Sequence, residues 1–190
     1  MTRTGDHGRS GATGLTIHER TDLGLASVFA RRGNTDAVTE AVRVGYGAEL
    51  STCSQISVGP AVAFVGSGPA HWLAVSEKLA CGDLARDLAA GLAGLASVSD
   101  QSDGRAVLRL SGARVRDVLA KGLPIDLHPR AFRTGDAATS IISHIGIQLW
   151  QVDDAPTYDI VFFRSLAGSF WKWLTDSAAE YGYRVSNERG

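Results

Sequence analysis

Residues 97–112, Ser-Val-Ser-Asp-Gln-Ser-Asp-Gly-Arg-Ala-Val-Leu-Arg-Leu-Ser-Gly, constrain this chain more than any other stretch. They spell a turn, a strand and a helix start in succession. Asp103-Gly104 is turn chemistry, with the glycine available for a positive φ. From Arg105 onward Arg, Val and Arg alternate with Ala, Leu and Leu, which is the period of a half-buried strand. Ser111 is placed to cap a helix over residues 112–121. Its Val115, Val118 and Leu119 form one apolar stripe, and Gly122 signals its end. No nucleophile, base or metal cluster falls in this segment, so it reads as scaffold and points toward binding.

A chain of 190 residues buries roughly 70% of the surface its unfolded form exposes, enough for a core without disulfides or metal. Cys53 and Cys81 form no spaced ligand pattern and no disulfide framework, which fits a reducing, cytoplasmic setting. Residues 1–14 are rich in Gly, Thr and Arg without an apolar core. They are expected to be a disordered tail and neither a signal peptide nor a membrane anchor. No apolar run is long enough to span a bilayer. A net charge of -1 gives no general reason to bind nucleic acid.

After the tail, strand-like and helix-like segments alternate. Residues 61–65 and 71–75 read as strands joined by a turn at Gly66-Ser-Gly-Pro69. Asp83 is expected to cap a helix carrying Leu84, Leu88, Leu92 and Leu95 at helical spacing. Residues 141–150 read as one strand with Ile145, Ile147 and Leu149 on one face and His144 on the other. Asp153-Asp-Ala-Pro156-Thr turns the chain into a hairpin partner at 158–163. A last helix runs from near Ser165 toward Tyr181. Hairpins mixed with single helices predict an α+β fold, helices on antiparallel sheet, in two halves at about 15–97 and 98–185.

When these segments are read with Gly122-Leu-Pro-Ile-Asp126-Leu-His128-Pro129-Arg130-Ala-Phe132 and Arg164-Ser-Leu-Ala-Gly-Ser-Phe170-Trp171-Lys-Trp173-Leu174, a family resemblance emerges. Thr16-Ile-His-Glu-Arg20 and Gly68-Pro-Ala-His-Trp72-Leu-Ala-Val75 extend it. Over residues 15–185 the chain resembles the gamma subunit of heterotetrameric sarcosine oxidase. A more distant similarity is to the folate-binding domain of aminomethyltransferases. The resemblance implies two ferredoxin-like halves and a subunit that packs against larger alpha and beta flavoprotein subunits and a small delta subunit. It implies a complex that oxidatively demethylates sarcosine to glycine, with hydrogen peroxide and formaldehyde or methylene-tetrahydrofolate as the other products. It places FAD, FMN, NAD and tetrahydrofolate on other subunits.

The residues themselves supply no catalytic, cofactor or metal set. Gly66-Ser-Gly68 begins like a dinucleotide loop, but a strand follows where a helix should start. Asp126 and His128 sit between Pro124 and Pro129 with no nucleophile, and are expected to pin a loop. Asp153 and Asp154 read as solvated turn residues. None of the five histidines, His7, His18, His71, His128 and His144, has a partner at metal-ligand spacing on its own element. Cys81, before the expected helix cap, has an acidic neighbour that disfavours a thiolate.

Candidate partner contacts come from charge and from aromatics. Seven Lys or Arg face three Asp between Asp103 and Arg133, and Arg105 and Arg109 share one strand face. On the last helix Trp171 lies about 100° round from Phe170, at the edge of a wide apolar arc. Phe170 and Trp173 are expected in the core and Trp171 at a partner surface. The enzyme-class alternative is a stand-alone folate-dependent one-carbon transferase. Against it, residues 149–158 are short where aminomethyltransferases carry a glycine-rich acidic segment, and Phe163-Arg164-Ser165 stands where they tend to have Asn-Ala. A third reading is a small binding module for an unrelated partner.

Overall fold

The computed structural model describes residues 4–8, 13–51 and 53–186. Two strands come first, β1 (Gly5–His7) and β2 (Leu15–Glu19). Then follow β3 (Gly24–Ala30), α1 (Thr35–Tyr46), β4 (Ile56–Val58), β5 (Ala63–Gly68), β6 (His71–Ser76), α2 (Asp83–Gly91) and β7 (Ala96–Asp100). The order closes with β8 (Arg105–Ser111), α3 (Val115–Ala120), β9 (Ala137–Ile142), β10 (Ile145–Asp153), β11 (Thr157–Phe163), α4 (Ala167–Ala178) and β12 (Tyr183–Ser186). Among the described residues no helix is long and apolar enough to cross a membrane.

The chain divides into two units, one from Asp22 to Arg105 and one that joins the residues up to Thr21 with those from Ala106 onward. The expected division at 97/98 is therefore displaced. β7 pairs with β3 and stays with the middle unit, while β2 crosses to the other and pairs with β8 and β12. The expected tail also changes. Gly5–His7 form β1 against β12, and Arg184 holds Asp6 at 2.6 Å. Residues 1–3 and 9–12 of that tail lie outside the described residues.

In the middle unit the strand order is β4-β5-β6-β3-β7, antiparallel throughout. The path β3-α1-β5-β6-α2-β7 is ferredoxin-like, with β4 added at one edge. Val38 and Val42 of α1 and Leu84 and Leu88 of α2, with Leu92 just past its end, pack on Ala26, Val28, Phe64, Trp72 and Ala74. Asp83 does not cap its helix: Gly82 stands at the N-cap, and Asp83 pairs with Arg86 at 2.8 Å. The expected Gly66–Pro69 turn narrows to Pro69-Ala70, because β5 continues through Gly68. Gly66 is instead a strand residue at a bulge, where a Cβ would lie 2.7 Å from the Cys53 carbonyl oxygen.

The other unit repeats this path as β8-α3-β10-β11-α4-β12, with β9 added beyond β10 as β4 is beyond β5. Here β2 is inserted between the first and last strands of the motif, giving the order β1-β12-β2-β8-β11-β10-β9. β12 runs parallel to β2, so the sheet is not wholly antiparallel as expected. Val115, Val118 and Leu119 of α3 and Phe170 and Leu174 of α4 pack on Ile17, Leu108, Leu110, Ile147, Leu149, Ile160 and Phe162.

Three local expectations are corrected in this unit. Ser111 ends β8 and caps nothing. The helix begins only at Val115, with Arg114 at its N-cap, and Gly112 takes φ +118 where a Cβ would lie 2.6 Å from the Gly14 carbonyl oxygen. Gly122 follows the helix without a positive φ, and its missing side chain makes room for the Trp173 indole. The single strand expected at 141–150 is two strands. Ser143 and His144 adopt φ of 47° and 70° in a two-residue turn, so His144 sits at a hairpin tip and not on a strand face. Ile145, Ile147 and Leu149 do share the buried face.

Candidate partner surface

β8 presents Ala106, Leu108 and Leu110 to the helices, which leaves Arg105, Val107 and Arg109 on the opposite face. β11 does the same with Tyr158, Ile160 and Phe162, leaving Asp159 and Val161 opposite. Because β8 and β11 are neighbours, Arg109 meets Asp159. Nε donates to Oδ1 at 2.7 Å and Nη2 to Oδ2 at 2.8 Å, a bidentate pair. Asp159 is only 3% exposed, and Arg20, 8% exposed, places Nη1 4.0 Å from its Oδ2. One buried carboxylate thus serves two guanidinium groups. Arg109 was expected to offer its charge to a partner, and most of its donor fork is turned to Asp159 instead.

Arg105 has a different setting. Its Nε donates to Gln101 Oε1, and Gln101 Nε2 donates to Ser27 Oγ on β3. Burial lowers the Arg105 pKa, though not enough to uncharge a guanidinium. In the row beside Ser27, Phe29 of β3 faces His71 of β6 and Ser97 of β7. The Phe29 and His71 rings stack with centroids 3.6 Å apart. Burial, and next the charge of Arg105, push the His71 pKa down and favour its neutral ring.

On α4 the expected split between two tryptophans is not clean. Phe170 is fully buried and stacks on Phe162 at 4.2 Å, as expected for a core ring. Trp171 and Trp173 are both half-buried against the same cluster, and Trp173 reaches Phe170 at 5.7 Å and covers Gly122. Since α4 packs on the face that holds Leu108 and Leu110, Trp171 and Arg109 lie on opposite sides of one sheet. Arg105, Arg109 and Trp171 do not converge on a single site.

Of the titratable groups singled out in the sequence, Asp126, His128 and Asp153 are engaged in local turns. Asp126 Oδ1 accepts from the His128 backbone N–H at 2.9 Å, and His128 Nδ1 accepts from that of Arg130 at 3.2 Å. Asp153 accepts from the Ala155 N–H, and Thr134 donates to Asp154. Cys81 Sγ is 3.9 Å from Asp100 Oδ2. Among the described residues no three His, Cys, Asp or Glu side chains are grouped to hold a metal ion. Asp159, Arg20, Phe29 and His71 escaped the sequence reading as a group. The lone carboxylate in the apolar run Thr157-Tyr-Asp-Ile-Val-Phe-Phe163 is the signal that marks Asp159.

Comparison with known proteins bears on this scaffold directly. A model of the sarcosine oxidase gamma subunit family matches residues 32–180. The sarcosine oxidase subunit gamma of Corynebacterium sp. (strain P-1) is 33% identical over 177 residues, covering 90% of this chain and 84% of that protein. The subunit gamma of Arthrobacter sp. is 32% identical over 164 residues, covering 85% and 77%. Among solved structures, a chain of heterotetrameric sarcosine oxidase from Corynebacterium sp. U-96, in complex with pyrrole 2-carboxylate, superposes with a TM-score of 0.79. It is 25% identical and is covered over 96% of this chain and 91% of that one. Glycine cleavage system aminomethyltransferase T from Bartonella henselae shares the fold, with a TM-score of 0.64 at 12% identity, over 91% of this chain and 48% of that one. The chain belongs to the sarcosine oxidase gamma subunit family.

Proposed function

We propose that this chain is a noncatalytic subunit of a cytoplasmic heterotetrameric sarcosine oxidase, where it holds the larger alpha and beta flavoprotein subunits and the small delta subunit in their working arrangement. The complex demethylates sarcosine to glycine, with hydrogen peroxide and formaldehyde or methylene-tetrahydrofolate as co-products. FAD, FMN, NAD and tetrahydrofolate bind its other subunits. The observation that carries the reading is the likeness to a chain of the heterotetrameric enzyme along 96% of this one. The local turns that engage Asp126, His128 and Asp153, and the Thr134 hydroxyl that donates to Asp154, support a scaffolding role.

Trp171 and Arg105 are the proposed contacts to the larger subunits, and Arg109 adds whatever its exposed edge offers beyond Asp159. Coexpression with the larger subunits is expected to bring this chain down with a yellow flavoprotein that consumes sarcosine, while the chain alone is colourless and makes no peroxide. Trp171→Ala should weaken assembly by about 2 kcal/mol, the scale of an interface hot spot. Flavin absorbance or sarcosine-dependent peroxide from this chain alone would overturn the reading. The folate-dependent transferase alternative has the shared fold of the aminomethyltransferase in its favour. Saturable tetrahydrofolate binding by the isolated chain would support it.

A further inference from the structure

We propose that the exposed Phe29 ring, its His71 partner and the arginines around them receive an acidic segment of a larger subunit that carries an apolar side chain to cover Phe29. This deepens the subunit reading above and rests on it. Phe29 is 47% exposed, yet its stack on His71 fixes the ring as a flat apolar surface. Its cross-strand neighbours are His71 and Ser97, and the next row on the same face is Ser27 with Leu73 and Ser99. Neither row contains a carboxylate.

Positive charge borders these rows. The Arg105 charge is felt at His71, and the Arg105–Gln101–Ser27 hydrogen-bond line runs beside Phe29. Arg31 lies two residues past Phe29, and its backbone N–H donates to the Leu95 carbonyl at 2.8 Å, which holds that segment next to the start of β7. Arg31 and Arg32 are exposed, and no ion pair engages either among the described residues. The whole chain carries a net charge of only -1, so this is a local concentration. A ring ready for burial, bordered by cations and without acids in its rows, is complementary to an acidic segment with an apolar anchor.

The test is reassembly of the complex from the full chain and the remaining subunits purified without it, with affinity measured at about 0.05 M and 0.3 M salt. The double variant Arg31→Glu/Arg32→Glu, which removes no packing, is expected to lose on the order of 30-fold in affinity at low salt and to flatten the salt dependence. Phe29→Ala should lose a similar factor of about 30 at both salt concentrations. Arg130→Glu/Arg133→Glu, the same charge change at two exposed positions of the other unit, should stay within about two-fold of the parent chain. If the parent chain assembles and the Phe29 and Arg31/Arg32 variants assemble equally well, this inference is wrong and the subunit reading stands. If Arg130→Glu/Arg133→Glu weakens assembly as much as Arg31→Glu/Arg32→Glu, the effect is one of net charge and the inference is again wrong. If the parent chain does not associate with the other subunits, the subunit reading falls and takes the inference with it.

Discussion

In the unit built on β8, the sheet face turned away from the helices holds Arg109, Asp159 and Arg20 together. In the unit built on β3, the equivalent strands carry Leu25 opposite Val75 and Ser27 opposite Leu73. Asp159 and Arg20 are buried on the first face with Arg109 half-buried, and Leu25, Leu73 and Val75 are buried on the second with Ser27 half-buried, so one is organised around charge and the other largely around hydrocarbon. The backbone path is the same, so the difference lies in what the shared scaffold does with its second face. A bidentate ion pair between neighbouring strands fixes their register, because a one-residue slip sends each partner to the opposite side of its sheet. The buried Leu25, Leu73 and Val75 also specify register, since a slip would turn them to the other face. The charged face is expected to tolerate single changes less well, because a buried charge left without its partner costs more than a trimmed aliphatic side chain.

The sharpest way to break this comparison is to remove the carboxylate. Asp159→Ala leaves the buried Arg20 and the half-buried Arg109 without their shared anion, and should cost about 3–5 kcal/mol in urea denaturation. Replacing the pair together, Arg109→Met with Asp159→Leu, should restore most of that loss, since a well-packed apolar pair is often no worse than a buried ion pair. A cost below about 1 kcal/mol for Asp159→Ala would mean that the charged face is no more constrained than the aliphatic one.

A smaller effect separates two glycines that look alike in sequence. Gly112, in the β8 unit, has φ +118 and abuts the Gly14 backbone, so Gly112→Ala should cost about 2 kcal/mol through strain and overlap. Gly104 closes the middle unit, and the reading of Asp103-Gly104 as a turn that needs a positive φ does not hold. Gly104 avoids that region, and the nearest atom to a Cβ there is the Gln101 carbonyl oxygen at 3.8 Å, in a turn closed by Arg105 N–H to that same oxygen. Gly104→Val should therefore change stability by no more than about 0.5 kcal/mol. Equal melting temperatures for the two variants would contradict the assignment of strain to Gly112 alone.

What the sequence made legible was local period. The alternation in β8, the stripes Val115/Val118/Leu119 and Leu84/Leu88/Leu92, and the hairpin at Asp153–Thr157 all fall within one or two elements, where side-chain spacing decides burial. The α+β class and the ferredoxin-like path also follow, the path from the family resemblance. What stayed hidden is non-local. Arg105 and Arg109 look equivalent on one strand, and only pairing with a strand 50 residues on turns Arg109 to Asp159. Insertion of β2 between β8 and β12, and hence the unit boundary, depends on pairings distant along the chain, such as Thr16 with Ser111 and Leu15 with Tyr183. The Ser143-His144 turn adopts positive φ without Asn or Gly to announce it. Trp171 and Trp173 differ by angle on a helical wheel but share a half-buried state, because Gly122 lets Trp173 ride on the surface of α3's end.

The smallest expected effect probes the middle unit's uncharged outer rows through His71. Its pKa is held below the ordinary 6.5, first by burial and then by the Arg105 charge, so the unfolded chain binds a proton more readily than the folded one. Stability then rises with pH while the unfolded histidine is the more protonated. The contribution is fully present above 6.5, and it is lost as the pH falls from there through the depressed folded value. Because the ring is only partly buried and solvent screens Arg105, the effect should be modest. Replacing His71 with Gln removes the titration and keeps a polar side chain of similar reach, so the parent chain should lose stability relative to His71→Gln on going from about pH 7 to pH 5. Arg105→Gln should reduce that slope without abolishing it, since burial is the larger cause. A slope unchanged by His71→Gln would show that the acid sensitivity resides elsewhere, and that the Phe29–His71 stack does not depend on a neutral ring.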